Sequence, residues 1–252
     1  MTAVELQGAY NVRDLGGLRT RDGRRTKHGV IYRGDSLDGI TPADARILFD
    51  KLGIGAIVDL RTKAETELSG LLLPVPRYRY SVLVEGRLGR EPFPSDDPVE
   101  LAKVYMTNLR TGRAAVKGTF EVIADNLRAG VATLFHCAAG RDRTGIMAAL
   151  LLGLVGVTDG QIAMDYVQSN RNARRVTKKL EENPLYANRD THRPEVILLR
   201  EQTIQGFMRL LREQGGGPRQ FCLDSGLSEE TISVIEDCFV TTSAEVTGNA
   251  AG

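Results

Sequence analysis

The stretch "GVATLFHCAAGRDRTGIMAALLLGLVG", Gly130 to Gly156, decides how the rest of the chain is read. Its first part, "VATLF", is a short apolar run of the kind that forms a strand buried on both faces of a parallel sheet. Its last part, "TGIMAALLLGLVG", is apolar nearly all round, as a helix inside a core would be. Between them lie ten residues, "HCAAGRDRTG", that join a thiol, three small residues and two arginines around an aspartate. A site at the C-terminal end of a central strand is where α/β sheets place their chemistry.

The small residues Ala138, Ala139 and Gly140 allow the chain to curl tightly enough for several backbone N–H groups to converge. The helix that follows, from about Thr144, aims its unpaired N–H groups and the positive end of its dipole at the same point. Such a cup suits an oxyanion and stabilises a neighbouring thiolate, the form in which sulfur attacks. Cys137 is therefore the candidate nucleophile. Arg143, six residues on, can reach over the bound anion with a planar fork that grips two oxygens. Arg141 adds a second positive charge, and the backbone from Ala138 to Arg143 supplies the phosphate-binding set. Thr144 can donate its hydroxyl to the sulfur, and His136 reads as an orienter of the loop. Cys-x5-Arg alone would arise by chance about 0.3 times in this composition; fixing His136, Gly140, Thr144 and Gly145 as well lowers that to on the order of 10⁻⁶.

Working outward, "GLRTRDGRRTKHGVIYRG" reads as a hairpin turning at Asp22-Gly23 and leaving through the strand "VIYR". Next, "TPADARILFDKLG" is a helix with Thr41 as N-cap, Pro42 at its first position and Gly53 as terminator. The strand "AIVDLR" follows, then a strand in "RYRYSVLV" and a polar loop, "EGRLGREPFPSDDP". Two helical patterns, "VELAKVYMTNL" and "AAVKGTFEVIADNL", lead into "VATLF". The expected fold class is α/β, a mostly parallel central sheet flanked by helices, with "VATLF" near its middle. Residues 159–213 read as helical with one break at "NPLYANRDTHRP", and "LSEETISVIEDCFV" as a final helix capped by Ser228. One domain is expected over residues 1–240, with 241–252 as a disordered tail.

The 252 residues carry 33 Lys and Arg against 32 Asp and Glu, with 42% hydrophobic content. That balance gives no global field for nucleic acid or an acidic membrane. The longest apolar run is too short to span a bilayer, and the N-terminus lacks a secretory pattern, so a cytoplasmic protein without stable membrane association is expected. Three separated cysteines, Cys137, Cys222 and Cys238, suit reduced thiols. His28, His136 and His192 have no metal-ligand spacing, and no metal or other cofactor is expected.

"HCAAGRDRTG" is similar to the signature loop of the cysteine-dependent protein tyrosine phosphatases. "YNVRDLGGL", "RTRDGR", "YRGDSL" and "AIVDLR" resemble the bacterial branch of mycobacterial tyrosine phosphatase B, which includes tyrosine and phosphoinositide phosphatases. The resemblance runs from about Tyr10 to about Val240. It implies a tyrosine-phosphatase-like fold with a helical lid over 171–195, Cys137 as nucleophile and Arg143 as clamp on a phosphorylated substrate. Where that branch has lysine, this chain has Arg141. In the resembling family the "NVRD" residues pack near the signature loop, which makes Arg13 and Asp14 candidate braces. The leaving oxygen needs a proton, and both Asp142 and Asp59 are placed to supply it. Family analogy points to Asp142, whereas its arginine neighbours favour the ionised form and keep Asp59 open.

Arg171, Arg174, Arg175, Lys178 and Lys179 fall on one face of "NRNARRVTKKLEE", a solvated face or an anion-attracting part of the lid. The function expected is metal-independent hydrolysis of phosphate monoesters, phosphotyrosine protein by default, through a cysteinyl-phosphate. The alternatives are a phosphatase of a phosphoinositide, nucleotide or sugar phosphate, and a catalytically silent phosphate-binding module. A sulfurtransferase is disfavoured because Arg143 and Thr144 complete a phosphate cup.

Overall fold

The computed structural model describes residues 2–67, 77–80, 97–182 and 198–242. Among these residues five strands form one sheet in the order β1 (Arg13–Asp14), β2 (Ile31–Gly34), β5 (Ala132–His136), β3 (Ile54–Asp59) and β4 (Arg77–Tyr80). β2, β5, β3 and β4 run parallel, and only the edge strand β1 is antiparallel. The expected α/β architecture is observed, with "VATLF" as the central strand.

Alternation along the strands sorts the core into two layers, because successive side chains leave opposite faces. Ile31, Val58 and Phe135 enter the larger layer, while Tyr32, Ile57 and Leu134 enter the smaller one. A bulge at Gly55 places Ile54 on the same face as Ile57, and a Cβ at Gly55 would lie 2.8 Å from Val131 Cγ1. The larger layer is filled by α3 (Pro98–Thr111), α4 (Arg113–Arg128), α5 (Asp142–Leu154), α6 (Asp159–Gln168) and α8 (Glu201–Gly215), with α9 (Gly217–Asp224) and α10 (Glu229–Phe239) behind. α5 is buried at nearly every position, as its unbroken apolar composition requires. The smaller layer is covered by the N-terminal segment and by α1 (Pro42–Ala45) with its continuation.

Three local expectations are refined. Thr41 does cap α1, in a capping box with Asp44, but the chain then widens into a π-helix over Arg46–Lys51, a change that apolar periodicity does not encode. The turn at Asp22-Gly23 is present, with Gly23 at φ 87°, but the hairpin amounts to a single bridge between Arg19 and Arg25. Thr241, read as tail, donates its N–H to the Arg25 carbonyl at 2.8 Å. The rest of the tail, the loop 85–96 and the segment 183–197 lie outside the described residues. α2 (Lys63–Glu67) and α7 (Ala173–Glu181) complete the helices near the strand ends. Among the described residues no helix is long and apolar enough to cross a membrane.

Candidate active site

The ten-residue loop leaves the C-terminal end of β5, with the ends of β2 and β3 on either side. Its geometry follows from where its carbonyls go. The Ala138 carbonyl accepts from Ser36 N at 3.0 Å, that of Ala139 from Asn11 Nδ2 at 3.2 Å, and that of Gly140 from Asn11 Nδ2 at 3.0 Å and Arg33 Nη2 at 2.8 Å. A trans peptide points its N–H opposite to its C=O. The amides of Ala139, Gly140 and Arg141 therefore face away from those partners, and among the described residues none of them meets an acceptor. At the helical end, α5 has Arg141 as N-cap residue and no side chain capping it, which leaves its first-turn amides open as well. Donors so placed, with the α5 dipole behind them, suit an anion.

Gly140 is needed for the curl. It sits at φ 67°, and a Cβ there would lie 2.6 Å from the Gly34 carbonyl carbon and oxygen, so the loop is pressed against the end of β2.

Cys137 opens the loop and is almost fully buried. The preceding His136 turns Nδ1 to the Cys137 carbonyl at 3.2 Å. A carbonyl can only accept, so Nδ1 carries the proton. Burial pushes His136 below its ordinary value despite the pull of Asp59, which favours the neutral ring.

Arg143 is held flat by a residue that sequence reading missed. Its Nη1 and Nη2 donate to Glu65 Oε2 and Oε1, both at 2.7 Å, and Nη1 also reaches the Leu60 carbonyl at 3.3 Å. Glu65 is fixed in turn by Thr62, whose N–H and hydroxyl donate to Oε2 at 2.8 and 2.9 Å. The Thr62-x-x-Glu65 spacing is a capping-box signal that could have marked the residue, though as a helix cap rather than as a partner of Arg143. Thr144 Oγ1 is buried without a partner among the described residues.

The two carboxylates part company. Asp142 is partly exposed, and its Oδ1 accepts from Tyr105 at 2.5 Å. Tyr105 in turn shares a 2.7 Å hydrogen bond with Tyr166, and burial first, Asp142 second, hold the Tyr105 phenol far above its ordinary value. Asp59 is fully buried beneath Arg61, which donates to it through its backbone N–H at 3.0 Å, Nε at 3.0 and 3.1 Å, and Nη2 at 2.8 Å. Burial works against the carboxylate, but His136, charged only once acid protonates it, and the bonds from Arg61 outweigh it and hold Asp59 at about 2. An ionised carboxylate without an exposed oxygen has no proton to give, which corrects the reading of Asp59 as the alternative acid. Its folded value lies below the unfolded 3.8, so its contribution is full above about pH 4 and is lost as pH falls through about 2. Asp59→Asn should remove about 2 kcal/mol at neutral pH and flatten that acid limb in a melting series between pH 5 and 2.

Arg13 and Asp14 also separate. Arg13 braces the loop through Asn11, donating from Nη1 to Asn11 Oδ1 at 2.6 Å. Asp14 turns away: it accepts from Gly16 N at 2.8 Å, Gly29 N at 3.2 Å and His28 Nδ1 at 2.8 Å, and so shapes the 16–29 segment rather than the loop.

On α7, Arg171 just before it, Arg174, Arg175 and Lys178 are exposed, as the charge pattern suggested. Lys179 is turned inward onto Asp35 Oδ2 at 3.1 Å and the carbonyls of Gly8 and Ser36. Arg175 lies 4.1 Å over the Tyr10 ring, next to Asn11.

A model of the tyrosine phosphatase family matches residues 4–241. A candidate tyrosine-protein phosphatase of Cupriavidus necator is 31% identical over 184 residues, covering 65% of this chain and 62% of that one. The triple specificity protein phosphatase PtpB of Mycobacterium tuberculosis is 26% identical over 275 aligned positions, 92% of this chain and 97% of PtpB. Among solved structures, the core catalytic domain of the PP-IP phosphatase SIW14 of S. cerevisiae is 13% identical with a TM-score of 0.38, covering 84% of this chain and 96% of that one.

Proposed function

As the chain belongs to the tyrosine phosphatase family, we propose that it hydrolyses phosphate monoesters through a cysteinyl-phosphate on Cys137. The observation that carries this reading is the outward pinning of three successive loop carbonyls, which leaves a ring of unpaired amides directly after the only cysteine of the loop. In the proposed cycle a phosphate dianion binds these amides and Arg143. The Cys137 thiolate attacks phosphorus, a P–S bond forms, and the P–O bond to the leaving group breaks. Asp142 gives its proton to the departing oxygen. Its Oδ1 is occupied by Tyr105, and its other oxygen has no partner among the described residues. A water molecule, deprotonated by Asp142, then attacks phosphorus and releases inorganic phosphate. Thr144 Oγ1 donates to the sulfur and stabilises the departing thiolate, the use that its unpaired hydroxyl supports. Arg141 contributes charge and an amide to the cup.

Phosphotyrosine protein is the default substrate. A second reading, a small ester with further phosphates such as a phosphoinositide, is favoured by Arg175, which lies over Tyr10 next to Asn11, and by the exposed Arg171, Arg174 and Lys178 near it in the chain. PtpB bears a triple specificity name, in keeping with a site not restricted to one ester. Phosphate release from a phosphotyrosine peptide, a phosphoserine peptide, a phosphoinositide and a nucleoside monophosphate, without added metal, separates the classes. Turnover of none of them would leave only a phosphate-binding module. Asp142→Asn is expected to slow phosphotyrosine hydrolysis by roughly 10²-fold and to affect much less an aryl phosphate whose phenol leaves without a proton. Equal losses on both substrates would remove Asp142 from the acid role.

A further inference from the structure

Beside the loop, three charged side chains are buried together. Arg13, Arg33 and Asp165 are 2%, 0% and 1% exposed. Asp165, on α6, accepts Arg13 Nε on Oδ1 at 2.7 Å and Arg33 Nη1 on Oδ2 at 2.5 Å, so one carboxylate serves two guanidinium groups. Arg13 is further fixed by the Asp165 carbonyl at 2.9 Å and Ser169 Oγ at 3.2 Å. Because Asn11 turns Oδ1 to Arg13, its NH₂ must face the Ala139 and Gly140 carbonyls. Arg33 reaches the Gly140 carbonyl itself. Both arms of the cluster therefore end on the same peptide, the one whose N–H belongs to Arg141.

Among the described residues the charges of the cluster do not cancel, since two guanidinium groups share one carboxylate. Asp35 is the other carboxylate near Arg13, and it is taken by the amides of Tyr10 and Asn11 at 2.9 and 2.8 Å and by Lys179. Burial first, and repulsion from Arg33 second, lower Arg13 to about 10, which still leaves it cationic at neutral pH. A buried cation without a counter-charge is costly, and neutral donors could have held the same carbonyls at less cost. The excess charge is useful when an anion arrives in the cup.

We propose that Arg33, oriented by Asp165, is a positioning residue for the phosphate: it fixes the Gly140 carbonyl so that the Arg141 amide faces the bound oxyanion, whose charge balances the buried arginine pair. The inference rests on the reading of the loop as a phosphate cup. Inorganic phosphate is the probe, titrated calorimetrically so that no turnover is needed, alongside KM and kcat for p-nitrophenyl phosphate. Arg33→Met is expected to weaken phosphate binding and raise KM by about 10- to 100-fold, the range of one charge-assisted hydrogen bond. Arg33→Lys keeps the charge but replaces the fork by a single donor, and should fall between Met and wild type. A merely structural role would lower the melting temperature and the active fraction while leaving the Kd and KM of the folded protein unchanged, and that result would overturn the proposal. If the Met variant does not fold, the Lys variant decides on the same criterion. A wild type that binds phosphate but cleaves no ester would sink the proposed activity alone; one that binds no phosphate would sink both.

Discussion

Cys137→Ser should abolish turnover, by on the order of 10⁵-fold in kcat, while phosphate still binds. The expected size comes from what the sulfur does: a hydroxyl in its place is protonated at neutral pH, so the covalent step has no competent nucleophile. Binding survives because the cup consists of backbone amides and the Arg143 clamp, not of the thiol. The amides of Ala139, Gly140 and Arg141 and the first turn of α5 are aimed by Ser36, Asn11 and Arg33, none of which depends on the thiol. A serine protein with retained phosphate affinity and no turnover would separate chemistry from binding in one variant. Loss of affinity together with activity would mean that the cysteine also maintains the loop.

Arg143→Lys comes next, with an expected loss of roughly 10³-fold in kcat/KM. A lysine keeps the charge but cannot hold two phosphate oxygens in one plane, and it cannot replace the paired 2.7 Å bonds to Glu65 that set that plane. Part of the effect should therefore be reproduced from the other side. Glu65→Gln leaves Arg143 in place but removes its fixed orientation, and a loss of about 10-fold is expected, mostly in kcat. Steady-state kinetics on both variants check this; a lysine variant within a few-fold of wild type would show that Arg143 supplies charge alone.

The loop was legible in the sequence because its chemistry is contiguous. A thiol, three small residues and an arginine within ten positions, bounded by an apolar strand and an apolar helix, need no tertiary information to be read. The residues that hold the loop in shape were not legible for the opposite reason. Asn11 reaches Gly140 across 129 positions and Glu65 reaches Arg143 across 78, and neither pairing leaves a local pattern. Asp165 and Arg33 look like an ordinary helix acid and a strand-end base until the fold buries them against each other. The strand-end position of Asp59 suits an acid and equally a partner for Arg61 two residues on, and only the fold, which packs Arg61 across the carboxyl, separates the two.

The parallel sheet was readable from the strand–helix alternation, and the central place of β5 from its unbroken apolar run. The π-helical stretch Arg46–Lys51 was not, since one buried residue, Leu48, fixes no helical period. The basic face of α7 was half readable: the charges recur at helical spacing, but that Lys179 alone turns inward onto Asp35 depends on where residues 8–11 pack.

The most direct test of the account is acid quenching of the protein during turnover of p-nitrophenyl phosphate, followed by mass analysis of the peptide that contains residue 137. One phosphoryl group is expected on Cys137 in the wild type and none in the serine variant under the same conditions. Steady turnover with no phosphoryl group on that peptide, or with one on another residue, would contradict it.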